Sequence, residues 1–357
     1  MAIGGGAHST WGTRFGFLMA AIGSSVGLGN FWRFPYVAGE NGGAAFIVIY
    51  LVCVFFIALP ILIAELSVGR HARRSAVGSV QKMAFNAGAP GIWSIAGWVA
   101  MIAAVLILCF YSVVAGWVVA YVFQMAAGDF VGAAPEVVAA SFGELVGDTD
   151  RVIGWHTAFM VVTVGIVSLG VTKGIERAVT ILMPIFFLML IAMVIYAAMT
   201  ADMSAALAYL FTPDFSEIGP QTFLAALGQA FFSIGVGGAI MITYGSYLPR
   251  SDNLAGSSTI IAGADTLVAI VAGLAIFPFV FAFSLDTAAG PALFFQTLPS
   301  AFAQMPAGQY VGTAFFVLAF IAALTSSISL LQVVVAFAEE HTYFGKTGSA
   351  IFFGVII

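Results

Sequence analysis

The sequence has 357 residues, of which 62% are hydrophobic and 8% are charged, and its mean hydropathy is +1.09. A water-soluble protein with so few charged residues would not cover its surface, so we expect an all-α protein that lies in a lipid bilayer. The net charge of −5 is small, and no basic stretch with interleaved aromatic residues is present, so no nucleic-acid partner is expected.

Uncharged intervals long enough to cross a bilayer, which takes ~20 apolar residues, recur along the chain. They predict eight spans, at about 15–39, 43–64, 90–126, 154–172, 178–200, 221–248, 254–283 and 309–338. A ninth apolar run begins at Ser349 and the sequence stops inside it at Ile357, so we expect the chain to be truncated. A signal peptide is the weaker interpretation of the first run, because no cleavage site follows it.

The distribution of Lys and Arg predicts a multi-pass protein of the cell membrane with a cytoplasmic N-terminus. In that orientation Arg33 and Arg151 lie outside, and the other nine of the 11 basic residues lie inside. These nine are Arg14, Arg70, Arg73, Arg74, Lys82, Lys173, Arg177, Arg250 and Lys346.

Two spans contain glycine-rich stretches that are poor continuous helix. Residues 23–35, GSSVGLGNFWRFP, interrupt the first span, and residues 231–239, FFSIGVGGA, interrupt the sixth. Broken helix survives in a membrane only where protein or a cavity covers it, and the freed carbonyls and amides suit ions and polar solutes. Close helix packing explains either glycine cluster taken singly, but the corresponding pair favours a binding site.

The five-span separation of the two breaks predicts a five-plus-five inverted repeat with the site between the broken helices. We expect one transporter domain over 1–357, with a first repeat at about 13–200 and an incomplete second repeat at about 221–357.

Ionisable residues inside a membrane are costly and point to function. Glu65 is expected to brace the broken first helix through backbone amides, and Arg33 to form a gating ion pair. For Asp265, the roles of proton relay, cation ligand and buried structural acid are all open. Hydroxyls at 325–327 in the eighth span either bond their own helix or complete an oxygen cage for sodium, a hard cation.

Residues 23–27 match G-x-S-x-G, the elbow of serine hydrolases. A serine nucleophile needs a base within hydrogen-bond reach, and no histidine lies at mid-span in the sequence. We therefore expect a protein that is not an enzyme.

Five motifs carry a family resemblance: GLGNFWRFPY at 27–36, ENGG at 40–43, FFS at 231–233, ITYGSY at 242–247 and LTSS at 324–327. With them the chain, from Trp11 through the eighth span, resembles the neurotransmitter:sodium symporter family, most of all its bacterial amino-acid transporters. The resemblance implies a leucine-transporter-like fold with discontinuous helices 1 and 6. The family has more spans than this sequence, which stops after the eighth and the start of the ninth.

The resemblance also implies binding residues, including two sodium sites. The first sodium would bind the Ser25 carbonyl, Asn30, Ser233 and Asp265; the second would bind the carbonyls of Gly23, Val26 and Ala322 and the hydroxyls of Thr325 and Ser326. The substrate would contact Ser25, Gly29, Ile107, Tyr111, Phe232, Ser233, Gly235, Gly238, Ser326 and Leu330. Arg33 and Phe232 would form the outer gate, and His8 with Glu340 a cytoplasmic latch.

Four positions refine the implied function. Asp265 stands where relatives often carry Asn, and Ala269 where chloride-dependent relatives carry Ser, so we expect chloride independence, with Asp265 taking up a proton during the cycle. Gly27 replaces the Asp of monoamine transporters, which favours a substrate with its own carboxylate. Gly238 replaces a bulky residue and favours a larger or aromatic side chain.

We therefore expect sodium-coupled symport of a neutral, apolar or aromatic amino acid into the cell by alternating access. The alternatives are a proton-coupled transporter of the same architecture, a channel, and the intramembrane hydrolase already disfavoured. The sequence leaves the oligomeric state open.

Overall fold

A computed structural model describes residues 9–216, 218–285, 287 and 292–357. These ranges contain helices and no β-strand. In chain order the helices are α1 (Arg14–Ser25), α2 (Gly29–Glu40), α3 (Ala44–Ala72), α4 (Ala76–Asn86), α5 (Gly91–Ala127), α6 (Pro135–Gly147), α7 (Thr149–Ser168), α8 (Val171–Thr200), α9 (Met203–Phe211), α10 (Pro220–Ile234), α11 (Ile240–Ser246), α12 (Leu254–Ala282), α13 (Leu298–Gln304), α14 (Gly308–His341) and α15 (Gly345–Ile356).

Six of the described helices, α3, α5, α7, α8, α12 and α14, are long and apolar enough to cross a membrane. Helices α1 and α2 meet at an angle of 44° and together make a seventh span. These seven match the predicted first to fifth, seventh and eighth spans. The predicted sixth span is divided between α10 and α11, and the start of the ninth is α15.

The first break follows α1. Val26 is extended (φ −73°, ψ 102°), and α2 then begins with a wide, π-helical turn over Gly29–Arg33. Close packing explains two of the glycines there: a Cβ at Gly27 would lie 2.6 Å from the Ser326 hydroxyl, and one at Gly29 would lie 3.0 Å from the Phe232 ring. The predicted interruption of the first span is confirmed.

The second break, residues 235–239, lies between α10 and α11. Gly235 (φ +74°) and Gly237 (φ +84°) adopt left-handed conformations, which cost glycine little. Ala239 (φ +62°) also does so, immediately before α11 begins. The chain therefore runs through residues 235–239 without regular helical hydrogen bonds, as predicted for the sixth span.

Both breaks face the centre of the helix bundle. Helix α14 is almost entirely buried there, between α1, α5, α7 and α8. On the side of the α5 C-terminus, a turn over Leu293–Thr297 and α13 pack against α14, and the Tyr121 hydroxyl donates to the Phe295 carbonyl at 2.7 Å. The two breaks are thus held inside a packed scaffold.

Candidate functional site

A cavity of about 410 Å³ lies between the two breaks, α5 and α14. Its lining residues are Ser24, Ser25, Gly27, Leu28, Gly29, Ala103, Ile107, Tyr111, Gly228, Phe231, Phe232, Gly235, Val236, Gly237, Gly238, Ile240, Ser326 and Leu330. All the predicted substrate residues line the cavity except Ser233, which is buried and does not line it. The sequence did not single out Ala103, Gly228 or Ile240, because apolar and small residues of this kind occur throughout membrane helices.

The cavity has one polar end and one apolar end. At the polar end the main chain of the first break meets Tyr111, whose hydroxyl oxygen accepts the Leu28 N–H at 3.3 Å. At the apolar end Ile107, Val236 and Leu330 form the wall. An arrangement of this kind suits a small molecule with a charged head and an apolar side chain.

Three residues predicted for the first sodium site are hydrogen-bonded to one another. The Asn30 amide nitrogen donates to Asp265 Oδ1 at 2.9 Å and to the Ser233 hydroxyl at 3.1 Å, and the Ser233 hydroxyl donates to Asp265 Oδ2 at 2.7 Å. All three side chains are fully buried. The fourth residue, Ser25, ties the two breaks together, because its hydroxyl donates to the Ile234 carbonyl at 3.1 Å.

The buried Asp265 carboxylate and the Ser233 hydroxyl are oxygen ligands of the kind that a hard cation prefers, whereas Asn30 turns its NH2 group toward both of them. The cluster also fixes the first break, since Asn30 Oδ1 accepts the Gly27 N–H at 3.0 Å.

The residues predicted for the second sodium site also lie together, between α1 and α14. The Ser326 hydroxyl lies 3.1 Å from the Ser24 carbonyl, 3.5 Å from the Gly23 carbonyl and 3.2 Å from the Ala322 carbonyl. The Thr325 hydroxyl donates to the Ala322 carbonyl at 3.1 Å. Val26 is buried at the end of α1 beside them. Neutral hard oxygens of this kind fit an alkali cation.

Glu65 does not brace the first break, and that prediction is wrong. Its Oε1 accepts the N–H of Gly237 at 2.6 Å, so it braces the second break. The reason is the close packing of α3 against α11, where a Cβ at Gly69 or at Gly245 would overlap the backbone of the facing helix. Sequence position gives the depth of a residue in the membrane but not the neighbour it faces.

Arg33 lies at the mouth of the cavity but forms no ion pair with any described residue. Its guanidinium lies 5.2 Å from the centre of the Phe232 ring and donates to Gln229 Oε1. The Gln229 amide in turn donates to the Gly29 carbonyl at 3.0 Å. Among the described residues, the contacts of Arg33 are therefore a cation–π contact with Phe232 and a hydrogen bond to the buried Gln229 amide, at the position where the sequence predicts a gating ion pair.

On the opposite side, His8 lies outside the described residues. Glu340 pairs with Arg74 at 3.6 Å and accepts the Ser75 N–H at 2.9 Å, and its latch with His8 stays a prediction. The N-terminal segment is held by Glu176, which was not predicted from the sequence: its carboxylate accepts the N–H groups of Gly12 at 2.7 Å and Thr13 at 2.9 Å. Glu176 lies between Lys173 and Arg177, where an acid is easily taken for part of a solvated charged loop.

Comparison with known proteins agrees with this geometry. The family model of the "Sodium:neurotransmitter symporter family" matches residues 8–131 and 146–356. An uncharacterized sodium-dependent transporter, YhdH, of Bacillus subtilis is 38% identical over 326 residues, which are 91% of this chain and 71% of the relative. One of Haemophilus influenzae is 35% identical over 340 residues, 93% of this chain and 74% of the relative.

A solved structure is also similar, the crystal structure of MhsT in complex with L-phenylalanine. It is 44% identical in sequence, superposes with a TM-score of 0.89, and the match covers 98% of this chain and 78% of that chain. The predicted all-helical, leucine-transporter-like fold is confirmed by this match. The chain belongs to the sodium:neurotransmitter symporter family.

Proposed function

We propose that this protein carries a neutral amino acid into the cell together with sodium, by alternating access. The observation that supports the proposal most directly is the cavity between the two breaks, with the buried Asn30, Ser233 and Asp265 cluster beside it. The family and its structural neighbour are transporters, so the hydrolase interpretation of residues 23–27 falls away. The chain is not an enzyme.

The proposed substrate is an apolar or aromatic amino acid. Its carboxylate would meet the Gly29 amide and the Tyr111 hydroxyl at the polar end, and its side chain would lie against Ile107 and Leu330. The crystal structure of MhsT is a complex with L-phenylalanine, and this supports the same class of ligand here. A substrate that brings its own carboxylate also fits the glycine at position 27, which contributes no charge.

We propose two sodium ions as co-substrates, one at Asn30, Ser233 and Asp265, the other at the Thr325 and Ser326 hydroxyls. A sodium ion about 4 Å from a carboxylate gains roughly 4 kcal/mol at an effective dielectric constant of 20, before desolvation. The first ion would lie between the substrate carboxylate and Asp265, so ion and substrate each raise the affinity for the other.

The proposed orientation places the N-terminus in the cytoplasm of a cell whose plasma membrane the helices cross. Arg33 and Phe232 would then close the cavity on the outside. The segment 9–13, bound to Glu176, would close it on the inside.

The proposal is tested by equilibrium binding of radiolabelled L-phenylalanine to the purified full-length protein in sodium chloride and in potassium chloride. We expect saturable binding in sodium and none in potassium. Because Asp265 is a buried carboxylate, a proton-coupled transporter is the second candidate. Sodium-independent binding that strengthens at acidic pH and is lost in Asp265→Asn would replace our proposal with that one.

A further inference from the structure

Three basic side chains lie where two membrane helices begin beside the N-terminal segment. Arg14 is the first residue of α1, and Lys173 and Arg177 lie one turn apart in the first turns of α8, on the same face of the helix. All three are exposed, and none of their side chains forms a hydrogen bond or an ion pair with any described residue. We call these three residues the basic patch.

Two of the three cations directly follow residues that bind the N-terminal segment. The Thr172 hydroxyl donates to the Thr10 carbonyl at 3.2 Å. The Glu176 carboxylate accepts the N–H of Thr13, the residue before α1, at 2.9 Å. The basic patch therefore lies on one side of the bundle, around the attachment of this segment. Because Glu176 is buried and turned toward these donors, it does not neutralise the patch.

Five further basic side chains on this side of the bundle already have partners. Each donates to a main-chain carbonyl, a hydroxyl or a carboxylate of the described part of the chain; the five are Arg70, Arg73, Arg74, Lys82 and Lys346. Their charges fasten loops and helix ends. The basic patch differs from them because its donors are left for a group outside the protein.

The basic patch also borders an apolar surface. Phe15, the residue after Arg14, is 51% exposed, and Leu169 is 64% exposed. Leu169 lies beside the start of α8, because a Cβ at Gly174 would be 3.0 Å from its Cβ. Cations next to exposed apolar side chains at the end of a membrane helix are typical of the level where lipid headgroups meet hydrocarbon.

We propose that the basic patch binds the phosphate of an anionic phospholipid, and that the bound headgroup fastens the N-terminal segment to α8. Guanidinium and ammonium groups are the usual donors to phosphate oxygens. Three positive charges favour a headgroup with a net negative charge over a zwitterionic one, whose own cation would be repelled. This binding requires only that the helices cross a membrane, so it is independent of the proposed sodium symport.

The first test is titration of the purified full-length protein in detergent with phosphatidylglycerol or phosphatidylcholine, with bound lipid counted by native mass spectrometry. We expect the first phosphatidylglycerol to bind about fivefold or more tightly than the first phosphatidylcholine, since one basic residue near an anionic headgroup contributes about that much. An excess of inorganic phosphate should not displace it. Equal binding of the two lipids, or displacement by inorganic phosphate, would overturn the inference.

The matched variants each remove two exposed positive charges. Lys173→Gln with Arg177→Gln should abolish the preference for phosphatidylglycerol. Arg151→Gln with Arg250→Gln removes two exposed cations that lie outside the basic patch, and should retain the preference. Equal losses in the two double variants would show that net charge alone attracts the lipid, and would overturn the assignment to the patch.

The second test measures the fastening of the N-terminal segment. Amide hydrogen exchange in residues 9–25 is followed by mass spectrometry in nanodiscs of phosphatidylcholine, with and without phosphatidylglycerol. We expect phosphatidylglycerol to slow exchange by about threefold or more in the wild type and in the Arg151 and Arg250 control, but not in the Lys173 and Arg177 variant. Unchanged exchange in the wild type would refute the fastening. Neither test uses an amino acid or a sodium gradient, so failure of the proposed function would leave both results unaffected.

Discussion

Asp265 combines two features that a cation site needs, full burial and a carboxylate whose two oxygens are already oriented by Asn30 and Ser233. Because the protein supplies this negative charge itself, an anion from solution has no role to fill beside the first sodium site. Ala269, one turn further along α12, offers no hydroxyl to hold one.

The first prediction follows: transport by the wild-type protein does not depend on chloride. Uptake of amino acid into proteoliposomes should be unchanged when chloride is replaced by gluconate at constant sodium. Asp265→Asn keeps the shape of the side chain but removes its charge, and should weaken sodium binding by about tenfold to a hundredfold, since a buried cation loses its partner. A wild-type protein that stops transporting in gluconate would contradict this assignment.

Glu65 is the side chain that holds the second break in place. Its hydrogen bond to the Gly237 N–H joins two segments that are distant in sequence.

The second prediction is that Glu65→Ala lowers the free energy of unfolding by about 0.5–1.5 kcal/mol, the net worth of a neutral hydrogen bond. Glu65→Gln retains a carbonyl oxygen that can accept the same N–H, so it should recover most of that loss. Thermal unfolding of the detergent-solubilised protein, followed by tryptophan fluorescence, measures both variants. Similar losses in the two variants would show that charge, rather than the hydrogen bond, is what matters.

The Tyr111 hydroxyl is the side-chain group most directly placed to bind a substrate carboxylate. It is already fixed by the Leu28 N–H, so its position does not depend on the substrate.

The third prediction is that Tyr111→Phe weakens amino-acid binding by about tenfold, as expected for a hydrogen bond to a charged group. The Tyr111→Phe variant should keep the first sodium site intact in the absence of substrate, because Asn30, Ser233 and Asp265 are hydrogen-bonded to one another and not to this hydroxyl. Isothermal titration with amino acid and with sodium separates the two effects. Unchanged amino-acid affinity would place the carboxylate elsewhere.

At the scale of helices, the sequence predicted the breaks well and the short helices poorly. Glycine clusters inside apolar runs disfavour continuous helix. This preference is local, so it can be recognised from the sequence without knowing which helices pack against the run. In contrast, nothing in the sequence of the acidic segment 128–150 indicates α6, which lies within it. A short helix outside the membrane has no long apolar run to indicate it, and packing against the scaffold decides whether it forms.

The same limit explains the wrong assignment of Glu65. An ionisable residue in a span can be recognised from the sequence, but its partner depends on the rotation of its helix and on which helix lies opposite. Glu65 faces α11 because glycines let the two helices approach, and Arg33 reaches Gln229 on α10. Ser326, which was recognised through a motif, lies beside the first break in the structure, with its hydroxyl 3.1 Å from the Ser24 carbonyl.

A few polar contacts attach the N-terminal segment 9–13 to the rest of the protein. Glu176 accepts hydrogen bonds from the N–H groups of Gly12 and Thr13 and from the Thr13 hydroxyl. Trp11 adds a bond from its indole N–H to the Tyr244 carbonyl at 3.1 Å. If this attachment closes the inner side, α1 can swing only after it is released.

The fourth prediction is that Glu176→Ala loosens α1. We expect faster amide hydrogen exchange in residues 14–25, measured by mass spectrometry at saturating sodium, together with weaker amino-acid binding. Thr172→Ala is the matched control, because it removes only one hydrogen bond, from the Thr172 hydroxyl to the Thr10 carbonyl at 3.2 Å. Equal exchange in both variants would mean that Glu176 does not hold the segment closed.

At the scale of the whole molecule, the site lies where two interrupted helices meet. The division into repeats at about 13–200 and 221–357 stays a prediction, as does the cytoplasmic N-terminus. The two proposed sodium sites differ in charge. Within the described residues, Asp265 is the ionisable group of the first sodium cluster, whereas the second proposed site consists of carbonyls and hydroxyls. Two monovalent cations crossing with a zwitterion would therefore move net positive charge.

The fifth prediction concerns that charge. A zwitterionic amino acid carries none, and Asp265 stays with the protein, so transport should move two positive charges per amino acid. Each is worth roughly 2.3 kcal/mol per 100 mV of membrane potential. Parallel measurement of current and of radiolabelled uptake in voltage-clamped proteoliposomes gives the ratio. A ratio of one would leave a single sodium ion, or a second ion exchanged for an outward proton on Asp265; repeating the measurement with Thr325→Val, which removes one hydroxyl of the second site, would decide between them.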